Sequence, residues 1–270
     1  MARTAAAFLL LGLATSASAP RLAAQAQGDQ ATITLGLTAG YVGGASLWQV
    51  PNQPFIPGVG LPADTLDISD VISPNFGFGL TSTYYKTSSF GFTGELLLLG
   101  AGTELQCQVR STAGNPTTDE LCSTISNSGT TGSSVTISLG VAARLASHSA
   151  VSPFFTARGG AIITDQSTIA VEGDTLINDS TFETITVYDD PDRTMVNWYV
   201  QLAAGASFAI AKGYRLRVEA RDNIFPVAVV TGPDLPTVGA TPPNGMATKQ
   251  LFSLMIGFDV VLERKRGRRY

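Results

Sequence analysis

Large apolar residues alternate with small or polar ones through the stretch Asn75–Gly102. The apolar side chains stand mainly at even-numbered positions in Phe76–Tyr84 and Phe90–Leu98, and Gly, Thr or Glu stands between most of them. Period-two alternation places the two sets on opposite faces of a strand. The polar segment Lys86–Ser89 separates the two runs, so the stretch predicts an antiparallel hairpin.

The same alternation recurs along the chain and predicts eight strands joined by long and short connections in turn. In a transmembrane barrel the apolar face contacts lipid, and the small polar face lines a narrow interior. The alternative is a soluble β-sandwich, whose apolar face would meet a second sheet. We predict an all-β fold, an eight-stranded antiparallel up-and-down transmembrane β-barrel with short periplasmic turns and long extracellular loops. The predicted segments are Thr32–Leu47, Phe76–Lys86, Phe90–Leu98, Val135–Leu145, Phe155–Ile163, Val196–Phe208, Tyr214–Arg221 and Phe252–Leu262.

The two ends of the chain differ in composition from its body. Residues 1–26 contain Arg3, an apolar run and small residues before Ala26, which is the pattern of a secretory signal peptide. Residues 27–263 form the predicted barrel, and residues 264–270 form a basic periplasmic tail. The apolar run of the signal peptide is too short to span a bilayer, and we expect no membrane-spanning helix.

The charge of the chain argues against nucleic-acid binding, and its two cysteines predict a disulfide and not a metal site. The formal net charge is −4, and it becomes −11 when the seven basic residues of the signal peptide and the tail are left out. A nucleic-acid-binding domain needs a basic face, so we expect no nucleic-acid partner. Cys107 and Cys122 lie in a polar segment without further metal ligands, which predicts a disulfide in an exported protein. No amphipathic helical stripe of useful length is visible.

Several charged residues fall on the inward faces of the predicted strands. An eight-stranded barrel is about wide enough for side chains to fill, and a charge buried there must be paired. Two interpretations are open, a structural plug of ion pairs and a narrow gated pathway for ions or small solutes. The residues of this predicted lumen charge network are Glu95, Arg144, Arg158, Arg215, Arg217, Glu219, Arg221 and Asp259.

The layout resembles the OmpA/OmpX-type eight-stranded outer-membrane barrels over about Ala31 to Glu263. The last strand is similar to the carboxy-terminal assembly signal of that family, with Gly257, Val260 and Leu262 at spaced positions, although Met255 departs from it. The resemblance implies location in the cell outer membrane of a Gram-negative-type envelope. It also implies outer-membrane lipid, lipopolysaccharide and the barrel-assembly machinery as partners, and a monomer.

Neither catalysis nor metal binding is expected. Small outer-membrane barrels that resemble this layout include enzymes acting on lipid A, which would need a His–Ser dyad on the outer face. The single histidine, His148, falls in a short periplasmic turn between Ser147 and Ser149, so we expect no catalytic residue. The acidic segment with Asp189, Asp190 and Asp192 has calcium-type ligands, but Pro191 interrupts their spacing and a solvated loop is favoured. We therefore expect no metal site and no cofactor.

The expected role is structural, with the loops displayed at the cell surface and the second loop held by Cys107–Cys122. The lumen is expected to be filled by side chains. Two alternatives are a narrow channel for ions or small solutes and an adhesin that acts through its loops.

Overall fold

The computed structural model describes residues 32–56, 63–100, 102–110, 116–127, 129–130, 133–147, 149–164, 169–177, 181–190, 196–233 and 243–263. The predicted signal peptide and the predicted basic tail lie outside the described residues. Within the described part, no helix has the length and apolar character needed to cross a membrane.

Eight long antiparallel strands close into one ring. Each ring strand pairs with the ring strand before it and the ring strand after it in the sequence. The ring closes because the first strand pairs with the last, with Thr32 opposite Glu263. The closed ring confirms the predicted barrel and excludes the β-sandwich, since no second sheet covers its outward faces. The ring strands are β1 (Thr32–Val42), β4 (Asn75–Tyr85), β5 (Phe90–Gly100), β8 (Ser133–Arg144), β9 (Val151–Thr164), β12 (Val196–Ala211), β13 (Tyr214–Val230) and β14 (Asn244–Glu263).

The remaining elements lie between ring strands, on the rim opposite the short turns. A four-stranded sheet has the order β2-β3-β6-β7, and a separate hairpin pairs β10 with β11. One helix, α1, is present in the described part of this rim. Together we call these elements the head. Its members are β2 (Ala45–Phe55), β3 (Asp64–Ile72), β6 (Thr103–Val109), α1 (Pro116–Asn127), β7 (Gly129–Thr130), β10 (Ile169–Ile177) and β11 (Thr181–Asp190).

Three predicted features of the chain are wrong. The segment Thr32–Leu47 is not one strand, because Gly43 and Gly44 interrupt it and Leu47 lies on β2. The helix α1 was not expected. The last two ring strands are also longer than predicted, since Val230 of β13 still pairs with Asn244 of β14.

The alternation of apolar and small or polar residues in the sequence matches the two faces of the ring strands. In β1 every second side chain from Thr32 to Thr38 is buried, and the intervening Ile33, Leu35 and Leu37 are exposed. Most inward positions along β1, β4 and β8 are small residues such as Thr, Gly and Ser. These small residues leave room in the lumen for the long charged side chains that other strands, β13 above all, direct inward.

Candidate functional site

Four charged side chains form the centre of the lumen. Arg158 Nη1 donates to Glu95 Oε2 at 2.7 Å, and Arg221 Nη2 lies 2.8 Å from Glu95 Oε1 and 2.5 Å from Glu219 Oε1. The side chains of all four residues have 0% exposure. Ions so deeply buried are stable only when their charges are matched, and here two arginines face two carboxylates.

Arg217 and Asp259 extend this network toward the short-turn rim. The Arg217 guanidinium lies 3.4 Å from Glu219 Oε1 and 3.5 Å from Asp259 Oδ1, and its Nη2 donates to Thr81 Oγ1 at 2.9 Å. Gly36 makes space for this group, because an added Cβ would lie 2.1 Å from Asp259 Oδ1. Glycine is therefore needed opposite the charged side chain of the neighbouring strand β14.

Neutral polar side chains continue the network on the other side of Arg158. Arg158 Nη1 donates to Gln201 Oε1, and Gln201 Nε2 donates to the Tyr199 hydroxyl at 2.8 Å. The Tyr199 hydroxyl donates to Asn223 Oδ1 at 2.6 Å, and Asn223 Nδ2 donates to the Ser253 hydroxyl at 3.0 Å. These neutral residues were not assigned to the predicted site. Asn223 could have been found from the sequence, since it follows Arg221 by two residues on the same strand face.

Arg144 and Arg215, also predicted for the network, lie apart from the central ion pairs at the short-turn mouth of the lumen. Arg144 Nε donates to the Ser88 carbonyl at 2.5 Å, and its guanidinium lies 3.9 Å from the centre of the Tyr85 ring. Arg215 Nε donates to the Ser207 hydroxyl at 2.8 Å. Both line a cavity of about 30 Å³ that opens toward this mouth.

Apolar side chains close the opposite end of the lumen. Inward alternation on β5 passes from Glu95 to Leu97 and Leu99, and both leucines are buried together with Met255 and Ile162. These residues belong to the same hydrophobic cluster as the core of the head. The apolar packing at this end of the barrel interior is therefore continuous with the folded structure above it.

The head has its own core. Buried side chains from its sheet, its helix and its hairpin meet, and Trp48 and Tyr188 contact edge to face with ring centroids 6.4 Å apart. The Tyr188 hydroxyl donates to Gln53 Oε1 at 2.5 Å. Other buried members of the head core are Val50, Phe55, Leu66, Ile68, Leu105, Leu121, Ile125, Val171 and Val187.

The helix α1 joins the sheet of the head to its hairpin. The Cys107–Cys122 disulfide attaches α1 to β6, which confirms the predicted pair. On the opposite side, Thr124 Oγ1 donates to the Asp174 carbonyl at 2.9 Å and accepts from the Asp174 amide at 3.0 Å. Gly173 allows this approach, since an added Cβ would lie 2.6 Å from Leu121 Cδ1. The segment that contains Cys107 and Cys122, predicted to be a surface loop, is therefore a folded part of the head that is held on two sides.

Two carboxylates on β3 have opposite electrostatic environments. The Asn52 amide donates to Asp67 Oδ1 at 2.9 Å, and Arg110 Nε donates to Asp67 Oδ2 at 2.5 Å, so the pKa of Asp67 is lowered. Burial instead raises the pKa of Asp70 to about 6. Asp70 Oδ1 is buried without a hydrogen-bond partner in the described part of the chain. Of these two carboxyl groups, Asp70 therefore has the pKa closer to neutral pH.

The residues considered for catalysis or metal binding lie only partly within the described residues. His148 and Asp192 lie outside them, whereas Ser147 and Ser149 lie in the turn between β8 and β9. The backbone of Asp189 and Asp190 pairs with Ala170 and Ile169 in the hairpin β10–β11. No group of three or more potential metal ligands is found where the chain is described.

The exterior of the ring decides its environment. Large apolar side chains point outward from every ring strand, with Leu139 exposed by 74% and Phe252 by 68%. Soluble monomers rarely expose apolar side chains on every strand of a sheet, whereas membrane barrels have such a belt as their lipid-facing band. The fold is that of an eight-stranded outer-membrane barrel. Other members of the belt include Ile33, Leu35, Leu37, Phe76, Phe78, Leu80, Phe92, Leu96, Leu98, Ile137, Phe155, Leu202, Leu254 and Ile256.

Several solved structures are similar to this chain over most of its length, at low sequence identity. No protein-family model matches the chain, and no curated protein matches its sequence. Neisserial surface protein A is 10% identical, with 86% of this chain and 99% of that chain covered at a TM-score of 0.40. The outer membrane protein OprG from Pseudomonas aeruginosa is 9% identical, with 88% and 98% covered at 0.42. The outer membrane enzyme PagL is 12% identical, with 83% and 98% covered at 0.33. At these identities the neighbours assign no role to this outer-membrane barrel.

Proposed function

We propose that this protein is an outer-membrane barrel that anchors its folded head at the cell surface and conducts no solute. The observation that carries the proposal is the filled lumen. Its centre is occupied by ion pairs between side chains of 0% exposure, and its head-side end is occupied by Leu97, Leu99 and Met255, all buried. The apolar packing at that end continues into the core of the head.

The orientation follows from the rims. Outer-membrane barrels have short periplasmic turns and longer extracellular loops. Here the connections Lys86–Ser89 and Lys212–Gly213 form one rim, and the head lies on the other. We therefore assign the head to the extracellular side and the short turns to the periplasm.

The partners are part of the proposal. The apolar belt is suited to outer-membrane lipid and, on the head side, to lipopolysaccharide. The barrel-assembly machinery would insert the chain, because a closed ring with this exterior has no stable form in water. A monomer is proposed, since the ring closes on itself and leaves no strand edge for another copy.

Surface labelling tests the orientation. An epitope inserted at Gly232, where no atom lies within 4 Å of an added Cβ, should bind antibody on intact cells. The matched control is the same epitope in the turn after Lys212, which should bind antibody only after the outer membrane is permeabilised. Labelling of the Lys212 site on intact cells would contradict the proposed orientation.

A narrow channel is the second candidate, because the short-turn half of the lumen is polar and contains a cavity. The two candidates differ in planar-bilayer recordings of the refolded protein. We expect no stepwise current from the wild type, whereas replacing Leu97 and Met255 together by Ser should introduce a leak through the apolar layer. Stepwise current from the wild type would favour the channel.

No catalytic step is proposed, and the prediction of a non-enzymatic barrel stays a prediction. An adhesin would act through the same head, and the epitope experiment locates that surface without identifying a ligand.

A further inference from the structure

The eight charged residues predicted for the lumen do not balance. Five are arginines and three are carboxylates. The three carboxylates are contacted by Arg158, Arg217 and Arg221 taken together. Arg144 and Arg215 contact only neutral partners in the described part of the chain, namely Ser88, Tyr85 and Ser207. Neither arginine forms an ion pair with a carboxylate in the described residues, since Asp259, which lies opposite Arg215 on β14, is paired with Arg217. Both arginines are at the short-turn mouth.

These two arginines share one cavity. It has a volume of about 30 Å³ and is also lined by Arg217, Asp259 and Thr156. Arg217 and Asp259 are already paired with each other, so the charge that faces the cavity is positive. The Thr156 hydroxyl is buried and has no hydrogen-bond partner among the described residues. The cavity thus offers guanidinium donors and a free hydroxyl to a ligand.

The remaining donors are suitably placed for an anion. Arg144 uses Nε for the Ser88 carbonyl, and Arg215 uses Nε and Nη2 for Ser207. The other guanidinium N–H groups of both side chains have no hydrogen-bond partner within the described ranges. Hydrogen bonds from guanidinium to an anion are about twice as strong as those between neutral groups. A volume of about 30 Å³ has room for a group about the size of one or two water molecules.

We infer that the short-turn mouth of the barrel is a binding site for a small anion, of the size of chloride or a phosphate group, held between Arg144 and Arg215. The anion can come from solution or from a lipid headgroup whose phosphate reaches the mouth. It neutralises the charge that the ion-pair network leaves over. This site is independent of surface display, because it depends only on the lumen.

The test uses the refolded full chain in a maltoside detergent, which carries no phosphate. The temperature at which the folded gel band disappears is measured in sodium chloride, in sodium phosphate and in sodium gluconate at equal ionic strength. Gluconate is too large for the cavity. We expect a higher midpoint in chloride or phosphate than in gluconate, and a concentration dependence that gives the affinity.

The variant R144Q/R215Q should lose this anion-specific shift, with affinity reduced at least about tenfold because each lost guanidinium removes a charge-assisted hydrogen bond. The charge-matched control is K86Q/K212Q, which removes two cations from the same rim outside the cavity and should retain the shift. If R144Q/R215Q does not fold, R215K keeps the charge and should retain the shift, whereas R215Q should reduce it.

Addition of phosphatidylglycerol distinguishes the two sources. A shift with chloride or phosphate alone supports a free anion. A shift that appears only with the lipid, and is lost in R144Q/R215Q, supports the headgroup. Equal midpoints of the wild type in all three salts and with the lipid would overturn the inference, and so would an anion-specific shift of the same size in R144Q/R215Q.

Discussion

Replacing Glu95 by Gln tests whether charge balance holds the barrel interior together. Glu95 accepts from Arg158 at 2.7 Å and lies 2.8 Å from Arg221, and all three side chains have 0% exposure. Gln keeps the size of the side chain but removes the negative charge. Arg221 retains Glu219, whereas Arg158 loses the one carboxylate that it contacts in the described residues. Removing one partner of a buried pair costs about 3–5 kcal/mol, so we expect a loss of that size in the free energy of unfolding.

The assay is urea unfolding of the protein refolded into lipid vesicles, followed by tryptophan fluorescence. Glu104→Gln is the matched control, because Glu104 is exposed on β6 and the same substitution there should change stability by less than about 0.5 kcal/mol. The double variant Glu95→Met/Arg158→Met should cost less than the sum of its single variants, since it leaves no unmatched ion in that pair. A Glu95→Gln protein as stable as the Glu104→Gln control would refute the reasoning.

Three further outcomes are expected. Cys107→Ser should lower the stability of the head by about 3 kcal/mol in the chain-entropy model for a separation of 15 residues, seen as faster proteolysis of the head without loss of the folded barrel band. Gly140→Ala should destabilise the barrel by about 1–3 kcal/mol in urea unfolding, because the added Cβ would lie 1.9 Å from the Ala157 carbonyl oxygen. Burial raises the pKa of Asp70 from 3.8 to about 6, so the folded head binds a proton more tightly than the unfolded chain does, and stability falls as pH rises from about 4 to about 6. Asp70→Asn should therefore gain stability relative to the wild type across that window, measured as proteolytic protection of the head; a pH-independent difference would contradict this.

The barrel could be predicted from the sequence because a membrane wall repeats one simple rule on every strand. Outward positions must be apolar and inward positions small or polar, so the pattern stays visible even when each strand is short. Leu139, Phe252 and the rest of the belt are exposed where the alternation places them. The tight turns at Lys86–Ser89 and Lys212–Gly213 were likewise visible as polar breaks.

The head could not be predicted because its local patterns are weak. The helix α1 buries Thr118, Leu121, Cys122 and Ile125, a stripe of only four positions in a segment rich in Ser, Thr and Asn. Its stability comes from the disulfide to β6 and from packing on β10, which is distant in sequence. The four-stranded sheet of the head was also hard to predict because its strands are irregular. The strand β2 contains prolines, and its register with β3 shifts.

The charged residues of the lumen were predicted as a set, but their grouping was not. Alternation identifies which side chains face inward and gives no information on strand tilt, so it cannot say which of them share a level. Arg158 reaches Glu95 and Gln201, whereas Arg144 and Arg215 point to a separate cavity. The apolar layer at Leu97 was not predicted, because Leu96–Leu99 is an uninterrupted run of leucines in which alternation is not visible.

Pairing of β1 with β14 has a consequence for assembly. Seam formation brings Thr32 against Glu263, so it joins residues at nearly opposite ends of the described chain. Until Asn244–Glu263 has been synthesised and delivered, β1 and β13 each present an unsatisfied row of amides and carbonyls, which other polypeptides can extend into aggregates. A nascent or truncated molecule therefore has two unpaired strand edges that can aggregate. Pairing of the final strand covers both edges in a single event.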